Sequence, residues 1–373
     1  MSNRFMCCLG GGSASQVVQD PEELPQPPQP PEPSDSSDSS GPTDSSGSSD
    51  DEGFVKFRWN EIVQGTEDFK ITHLIGQGKV GKLYRCNFPR IHKVGAAKVN
   101  HGKTPGLGEF LAEIRTLREA DHPNVIKLLG KHDGKTNTAL VYQFMPNGSL
   151  DHHLFANARQ VQGLTQETRV LDWDTRMRIA VGVAEGLVYV HQGLSSIHRD
   201  VKAKNIVLDD NFVPKLTGFG TVTKIVYDED GVEMQRKISK KGTEGYLAPE
   251  TENFGLVSTK SDVYSYGVFL LVLFTGRKAN DDRERPEAKK KLTDWLMSVL
   301  TRLEYAPMVV DVALGKKYSA QGLNRIFETA RMCLNAQPLE RPAMDFVETL
   351  VRESAAYLVP EEQPQVKERR CST

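Results

Sequence analysis

The sequence lacks any apolar run long enough to span a bilayer. Its longest, Val268 to Phe274, falls far short of the roughly 18 residues a spanning helix needs. The first residues hold no apolar core of the signal-peptide kind. Cysteine is scarce: five in 373 residues, at positions 7, 8, 86, 333 and 371, with neither a disulfide framework nor a zinc-ligand spacing. Neither charge is in surplus, with 47 Lys and Arg against 49 Asp and Glu and a formal net charge of -2. A nucleic-acid partner, which calls for a strongly basic stripe, is therefore not expected. There is no internal repeat. Together these absences predict a cytoplasmic chain that neither crosses a membrane nor is secreted.

What is present divides the chain into three parts. Residues 1–53 are a proline-rich stretch followed by a Ser/Asp/Gly tract, a composition that cannot bury enough apolar surface to fold. The adjacent Cys7 and Cys8 are candidates for reversible palmitoylation and hence for peripheral attachment to the plasma membrane. With Met1 as the start, Ser at position 2 excludes a myristoyl group, and Cys371, third from the end, stands one residue too late for prenylation. Residues 54–354 carry the periodicity of a folded domain, and 355–373 read as a flexible tail.

Within the domain, strands come first and helices later. Phe69 to Val99 reads as short strands about glycine-rich turns. Gly108 to Ala120 places Phe110, Leu111, Ile114 and Leu117 on one helical face. Trp173 to His191 predicts a second helix with Asp172 as its N-cap. Ser261 to Phe274 becomes apolar all round, as a helix inside a large lobe would. The order predicts an α+β, two-lobed architecture: a small sheet-rich lobe and a large helical one.

Several motifs carry chemistry. Gly76-Gln77-Gly78-Lys79-Val80-Gly81 leads into Lys82-Leu83 after an apolar strand start ending at Ile75, and such glycines let a backbone turn approach phosphates. Lys98 follows Gly81 by 17 residues on the next strand pattern, where a lysine would reach the α- and β-phosphates, and Glu113 follows by a further 15 as its candidate partner. His198 to Asn205 is the strongest local match: Asp200 suits acceptance of a hydroxyl proton, Lys202 the neutralisation of a γ-phosphate, and Asn205 the holding of a metal ion. Gly242 to Glu250 and Ser261 to Gly267 follow, with Arg341 a candidate for a buried pair with Glu250.

On these motifs the chain resembles the protein kinases of the plant receptor-like/Pelle group and is most similar to receptor-like cytoplasmic kinases. Group-level features include Leu171-Asp172-Trp173 and the run from Leu140 through Tyr142 and Met145 to Leu150. The resemblance, running from about Phe57 to Ser354, implies ATP as cofactor. The implied contacts are Ile75 to Leu83, Lys98 and Glu113, with the adenine against Tyr142, Gln143 and Met145. It implies Ser/Thr specificity, from Lys202 and Thr243, and protein substrates or receptor kinases as partners. Thr221, Thr223, Ser239 and Thr243 become candidate phosphosites of the activation segment.

One departure matters. Where the family places Asp-Phe-Gly, this chain has Gly218-Phe219-Gly220. Glycine offers no carboxylate to a hard cation, which leaves Asn205 as the one protein ligand of the usual pair. Mg²⁺ binding is expected to be weakened or absent. Two readings stay open at this point: a pseudokinase acting as a signalling adaptor, and a functioning serine/threonine kinase using Asp200 as base.

Overall fold

A computed structural model describes residues 54–78, 81–101, 106–155, 169–281 and 289–357. The expected tail 1–53 with Cys7 and Cys8, the glycine-turn residues Lys79 and Val80, and residues 358–373 lie outside the described residues.

The smaller lobe contains β1 (Val55–Lys56), α1 (Trp59–Gly65), β2 (Leu74–Gly78), β3 (Gly81–Phe88), β4 (Lys93–His101), α2 (Leu107–Arg118), β5 (Leu128–Asp133) and β6 (Asn137–Gln143). The six strands form one sheet in the order β1-β5-β6-β4-β3-β2, antiparallel except that β1 runs parallel to β5. β2 and β3 form a hairpin that pairs Gly78 with Gly81. Gly81 has φ +131°, and a Cβ there would lie 2.5 Å from the Val99 carbonyl oxygen of β4, so the position excludes every other residue. α1 is too short for its period to stand out in the sequence. It is held by the Glu61 carboxylate, which accepts from the Arg58 amide at 2.7 Å, and by Ile62, which is fully buried against Cys86 and its neighbours. Burial pushes the Cys86 thiol up to about 12, so it acts as a small apolar side chain.

The larger lobe contains α3 (Leu150–Leu154), α4 (Trp173–Val188), β7 (Ser196–Ile197), β8 (Ile206–Leu208), β9 (Pro214–Leu216), β10 (Thr223–Lys224), β11 (Arg236–Lys237) and α5 (Pro249–Phe254). Then follow β12 (Leu256–Val257), α6 (Thr259–Thr275), α7 (Leu292–Trp295), α8 (Met297–Thr301), α9 (Ala320–Cys333) and α10 (Met344–Ala355). The two-lobed α+β architecture expected from the sequence is present. α4 starts where its cap predicts, with Asp172 Oδ1 accepting from the Thr175 amide at 2.8 Å. It stops three residues earlier than expected because Tyr189 to Gly193 form a π-turn closed by the Leu194 amide on the Tyr189 carbonyl. α6 is the buried axis of the lobe, with every residue from Tyr266 to Phe274 inaccessible to solvent. Arg176 of α4, also buried, donates to the carbonyls of Leu171 and Leu273 and to Asp311 Oδ2 at 2.6 Å, so its charge is paired and its donors are used.

The expected pair between distant motifs forms. Arg341 donates two hydrogen bonds to the Glu250 carboxylate, at 2.7 and 2.8 Å, both side chains buried. The core of the large lobe continues into the small one through Leu117 of α2 and Leu140 and Tyr142 of β6. Among the described residues no helix is long and apolar enough to cross a membrane.

Candidate active site

The cleft between the lobes has two ends. At the sheet end, β4 holds Lys98 opposite Leu83 of β3 and Leu140 of β6. Its Nζ donates to Glu113 Oε2 at 2.9 Å; the lysine is about one-third exposed (34%), whereas the glutamate is only 2% exposed. Helical period brings Glu113 and Leu117 to the inner side of α2, which is why a carboxylate fifteen residues away in sequence reaches the strand lysine. Tyr142, expected beside the adenine, is buried with its ring in the shared core, and burial together with the Glu113 carboxylate raises its phenol well above the ordinary value. The Gln143 amide donates to the Lys127 carbonyl at 2.9 Å, and the Met145 carbonyl accepts from the Gly148 amide at 3.0 Å. Ile75 and Gly76 are half-buried on β2 and Leu83 half-buried on β3, while Gln77, Gly78 and Lys82 are exposed.

At the helical end, the segment after β7 is pinned from below. Asp262 of α6 accepts from the amides of His198 and Arg199, both at 2.7 Å, and from His191 Nε2 at 2.9 Å. Burial pushes this carboxyl up, but the His191 hydrogen bond and the surrounding donors outweigh it and hold the group below its usual range. These amide bonds also explain how Arg199 keeps φ at +70°, a strained value for a side-chain-bearing residue. His198 is packed, not exposed: its ring meets Phe219 edge-on at 4.8 Å, its Nε2 lies 3.1 Å from the Thr217 carbonyl, and burial lowers its basicity.

The structure brings Asp200, Lys202, Asn205 and Thr243 together. The Asp200 carboxylate accepts from Lys202 Nζ at 2.6 Å, Asn205 Nδ2 at 2.7 Å and Thr243 Oγ1 at 2.7 Å. Lys202 Nζ also donates to Thr243 Oγ1 at 2.6 Å, and Asn205 Nδ2 to the Asp200 carbonyl at 2.8 Å. Gly218 sits beside them with φ +87° and ψ 36°. A Cβ built on it would lie 2.7 Å from Asn205 Nδ2 and 2.8 Å from its Cγ, so the amide fills the space a side chain at 218 would enter.

The donor set does not suit a hard divalent cation, which wants several oxygen ligands, preferably anionic. Gly218 supplies none, and the Asp200 carboxylate is already taken by three donors. Among the described residues there is no cluster of three or more His, Cys, Asp or Glu that could hold a metal.

The four expected phosphosites lie in different surroundings. Ser239 is exposed; Thr221 Oγ1 donates to the His198 carbonyl at 3.1 Å; Thr223 Oγ1 accepts from Arg236 at 3.2 Å; Thr243 lies against Asp200. Arg199 donates to the carbonyls of Thr221 and Ser239 at 3.0 and 2.8 Å, and its buried Nε has no partner among the described residues. Sequence reasoning missed one contact here. Lys241 Nζ pairs with Glu109 Oε1 of α2 at 2.9 Å, and Gly220 packs so closely on Glu109 that a Cβ would lie 3.2 Å from that residue's own. The two residues are 132 apart, so no local pattern announces them.

The family model described as protein tyrosine and serine/threonine kinase matches residues 69–350. Among curated relatives, the probable serine/threonine-protein kinase PBL6 of Arabidopsis thaliana is 37% identical over 302 residues, covering 79% of this chain and 69% of that protein. The probable serine/threonine-protein kinase PBL5 of the same plant is 35% identical, over 78% of this chain and 67% of its own length. The leucine-rich repeat receptor protein kinase EMS1 of Arabidopsis thaliana is 36% identical over 79% of this chain, which spans only 24% of that receptor. As a class these proteins use ATP together with Mg²⁺. The chain belongs to the protein tyrosine and serine/threonine kinase family.

Proposed function

We propose that the protein is a receptor-like cytoplasmic kinase homologue that binds ATP but transfers phosphate poorly, and that it acts as a pseudokinase adaptor in receptor-kinase signalling. The domain comprises residues 54–354, and its partners are receptor kinases or their protein substrates in the cytoplasm. The observation that carries this reading is the Gly218 position: no carboxylate, a left-handed backbone, and the Asn205 amide in the space where a side chain would go. Removing one preorganised electrostatic stabiliser commonly costs about 10²- to 10³-fold in turnover. An anionic metal ligand is worth at least as much, because the ion both orients and neutralises the phosphates.

A second reading, an active serine/threonine kinase, draws support from the formed Lys98–Glu113 pair and from Asp200, Lys202 and Thr243 gathered within hydrogen-bond distance. In that reading Asp200 takes the proton of the attacking Ser or Thr hydroxyl and Lys202 offsets the developing charge.

The discriminating experiment is a thermal-shift titration with ATP, with and without Mg²⁺ or Mn²⁺, run beside a phosphate-incorporation assay. A ligand that binds the folded state raises its apparent stability. The adaptor reading expects stabilisation by ATP that divalent metal does not increase, and no incorporation. Robust incorporation that Asp200→Asn abolishes would sink it and establish the second reading.

A further inference from the structure

Residues 225–234 form a hairpin that stands in solvent. Tyr227 bridges Glu233, the Met234 amide donates to the Val226 carbonyl at 2.8 Å, and Asp228 Oδ1 closes the tip by accepting from the amides of Asp230 and Val232. The base is fixed: Glu233 accepts from the Thr259 amide at the start of α6 at 2.6 Å, and β11 pairs with β12. A rigid hairpin would ordinarily show water a polar face. This one exposes Val226 (37%), Tyr227 (51%), Val232 (60%) and Met234 (47%). At the other end of the same segment Phe254 is 65% exposed, next to Gly255, whose carbonyl accepts from the Ile238 amide.

The charges on this surface are divided. Glu229 and Asp230 sit at the tip; Lys237 lies on β11 opposite Leu256, and Lys240 lies just beyond it. All four are exposed, and none has an ion-pair partner among the described residues. Arg236 and Lys241, by contrast, are occupied by Thr223 and Glu109. A partner of one charge sign would be attracted to half of the surface and repelled by the other half. A second copy meets it without conflict, because in a two-fold contact each patch faces its complement twice.

We infer that this surface docks a second copy of the chain in an isologous pair, Glu229 and Asp230 of each hairpin facing Lys237 and Lys240 of the other across the apolar side chains. With so few side chains from each copy, the contact belongs to the small, transient class, below about 1,200 Å² of buried surface. The pair therefore forms and dissociates with concentration and weakens with salt. The inference does not depend on whether the chain transfers phosphate.

Sedimentation of the full chain over rising concentration at low salt tests it. The expected result is a reversible dimer for the wild type. Glu229→Lys/Asp230→Lys and Lys237→Glu/Lys240→Glu should each raise the dissociation constant by roughly tenfold or more, and an equimolar mixture of the two should recover it. Val232→Ser, which changes no charge, should weaken the dimer as well. All five side chains are exposed, so melting curves like the wild type's check that each variant is folded. A wild type that stays monomeric overturns the inference and leaves the surface to a different protein. So does a dimer indifferent to both reversals, or a mixture that fails to recover it.

Discussion

The two ends of the cleft differ. At the sheet end, Lys98 and Glu113 meet at 2.9 Å on a strand and a helix whose packing is continuous with the main core. At the helical end, the backbone is anchored just as firmly by Asp262, yet Gly218 offers no carboxylate and the Asn205 amide is folded into its space. The bonds that shape the loop from His198 to Asn205 come from α6 beneath it, and they need neither nucleotide nor ion. The loop keeps its shape with no carboxylate at position 218.

The largest expected effect comes from breaking the other buried anchor of the large lobe. Arg341→Ala leaves the Glu250 carboxylate buried without its two donors, a loss typically worth about 3–5 kcal/mol. The urea midpoint should fall accordingly, and a small change would mean that the buried Glu250–Arg341 pair does not hold this part of the large lobe together. Next comes repair of the site. Gly218→Asp should bring metal-dependent stabilisation by ATP and raise phosphate incorporation by about 10²- to 10³-fold. It should also cost the ligand-free protein about 1–2 kcal/mol, because φ +87° is unfavourable for a side chain and Asn205 must withdraw. A variant that gains neither response to metal nor activity would place the defect somewhere other than the missing carboxylate.

How much of this could be read beforehand depended on sequence distance and on the kind of contact. Asp172 capping α4, and Glu113 facing Lys98, follow from helix period and cap chemistry within one or two elements. The Glu250–Arg341 pair was legible only because both residues sit in distinctive motifs. Asp262 stood in a quoted motif, but nothing local says that its oxygens receive the amides of His198 and Arg199. That Asn205 fills the space at Gly218 is a matter of packing, which no spacing encodes. The inward phenol of Tyr142 likewise depends on a core assembled from both lobes. α1 was missed because seven residues give too few turns for a period.

A smaller effect probes the sheet end alone. Glu113→Gln keeps the shape but removes the charge that positions Lys98. Stabilisation by ATP in the absence of metal should drop by an amount equivalent to about tenfold in affinity, or about 1.4 kcal/mol. If it does not change, Lys98 does not hold the phosphates and the supposed intact end is as altered as the other. Running the same variant in the Gly218→Asp background asks whether the two ends act together. Additive losses would mean that they do not.

The smallest effect concerns the contact that joins the two ends. Lys241 and Glu109 are both partly exposed, so the pair should contribute only about 0.2–1 kcal/mol to global stability. Its consequence should be local. α2, which carries Glu113, packs on Phe219 to Thr221, and Lys241 fastens the far side of the same segment to the start of that helix. Lys241→Ala should thus leave the melting temperature nearly unchanged while speeding amide exchange in residues 236–243 and in the first turn of α2. Glu109→Ala should do the same, and the double variant no more than either single one, since each removes the same pair. Exchange confined to the activation segment, with α2 unaffected, would show that the pair tethers a loop without coupling the ends. Exchange rising in both would make Lys241 a link that lets the segment between Gly218 and Thr243 report on the position of Glu113.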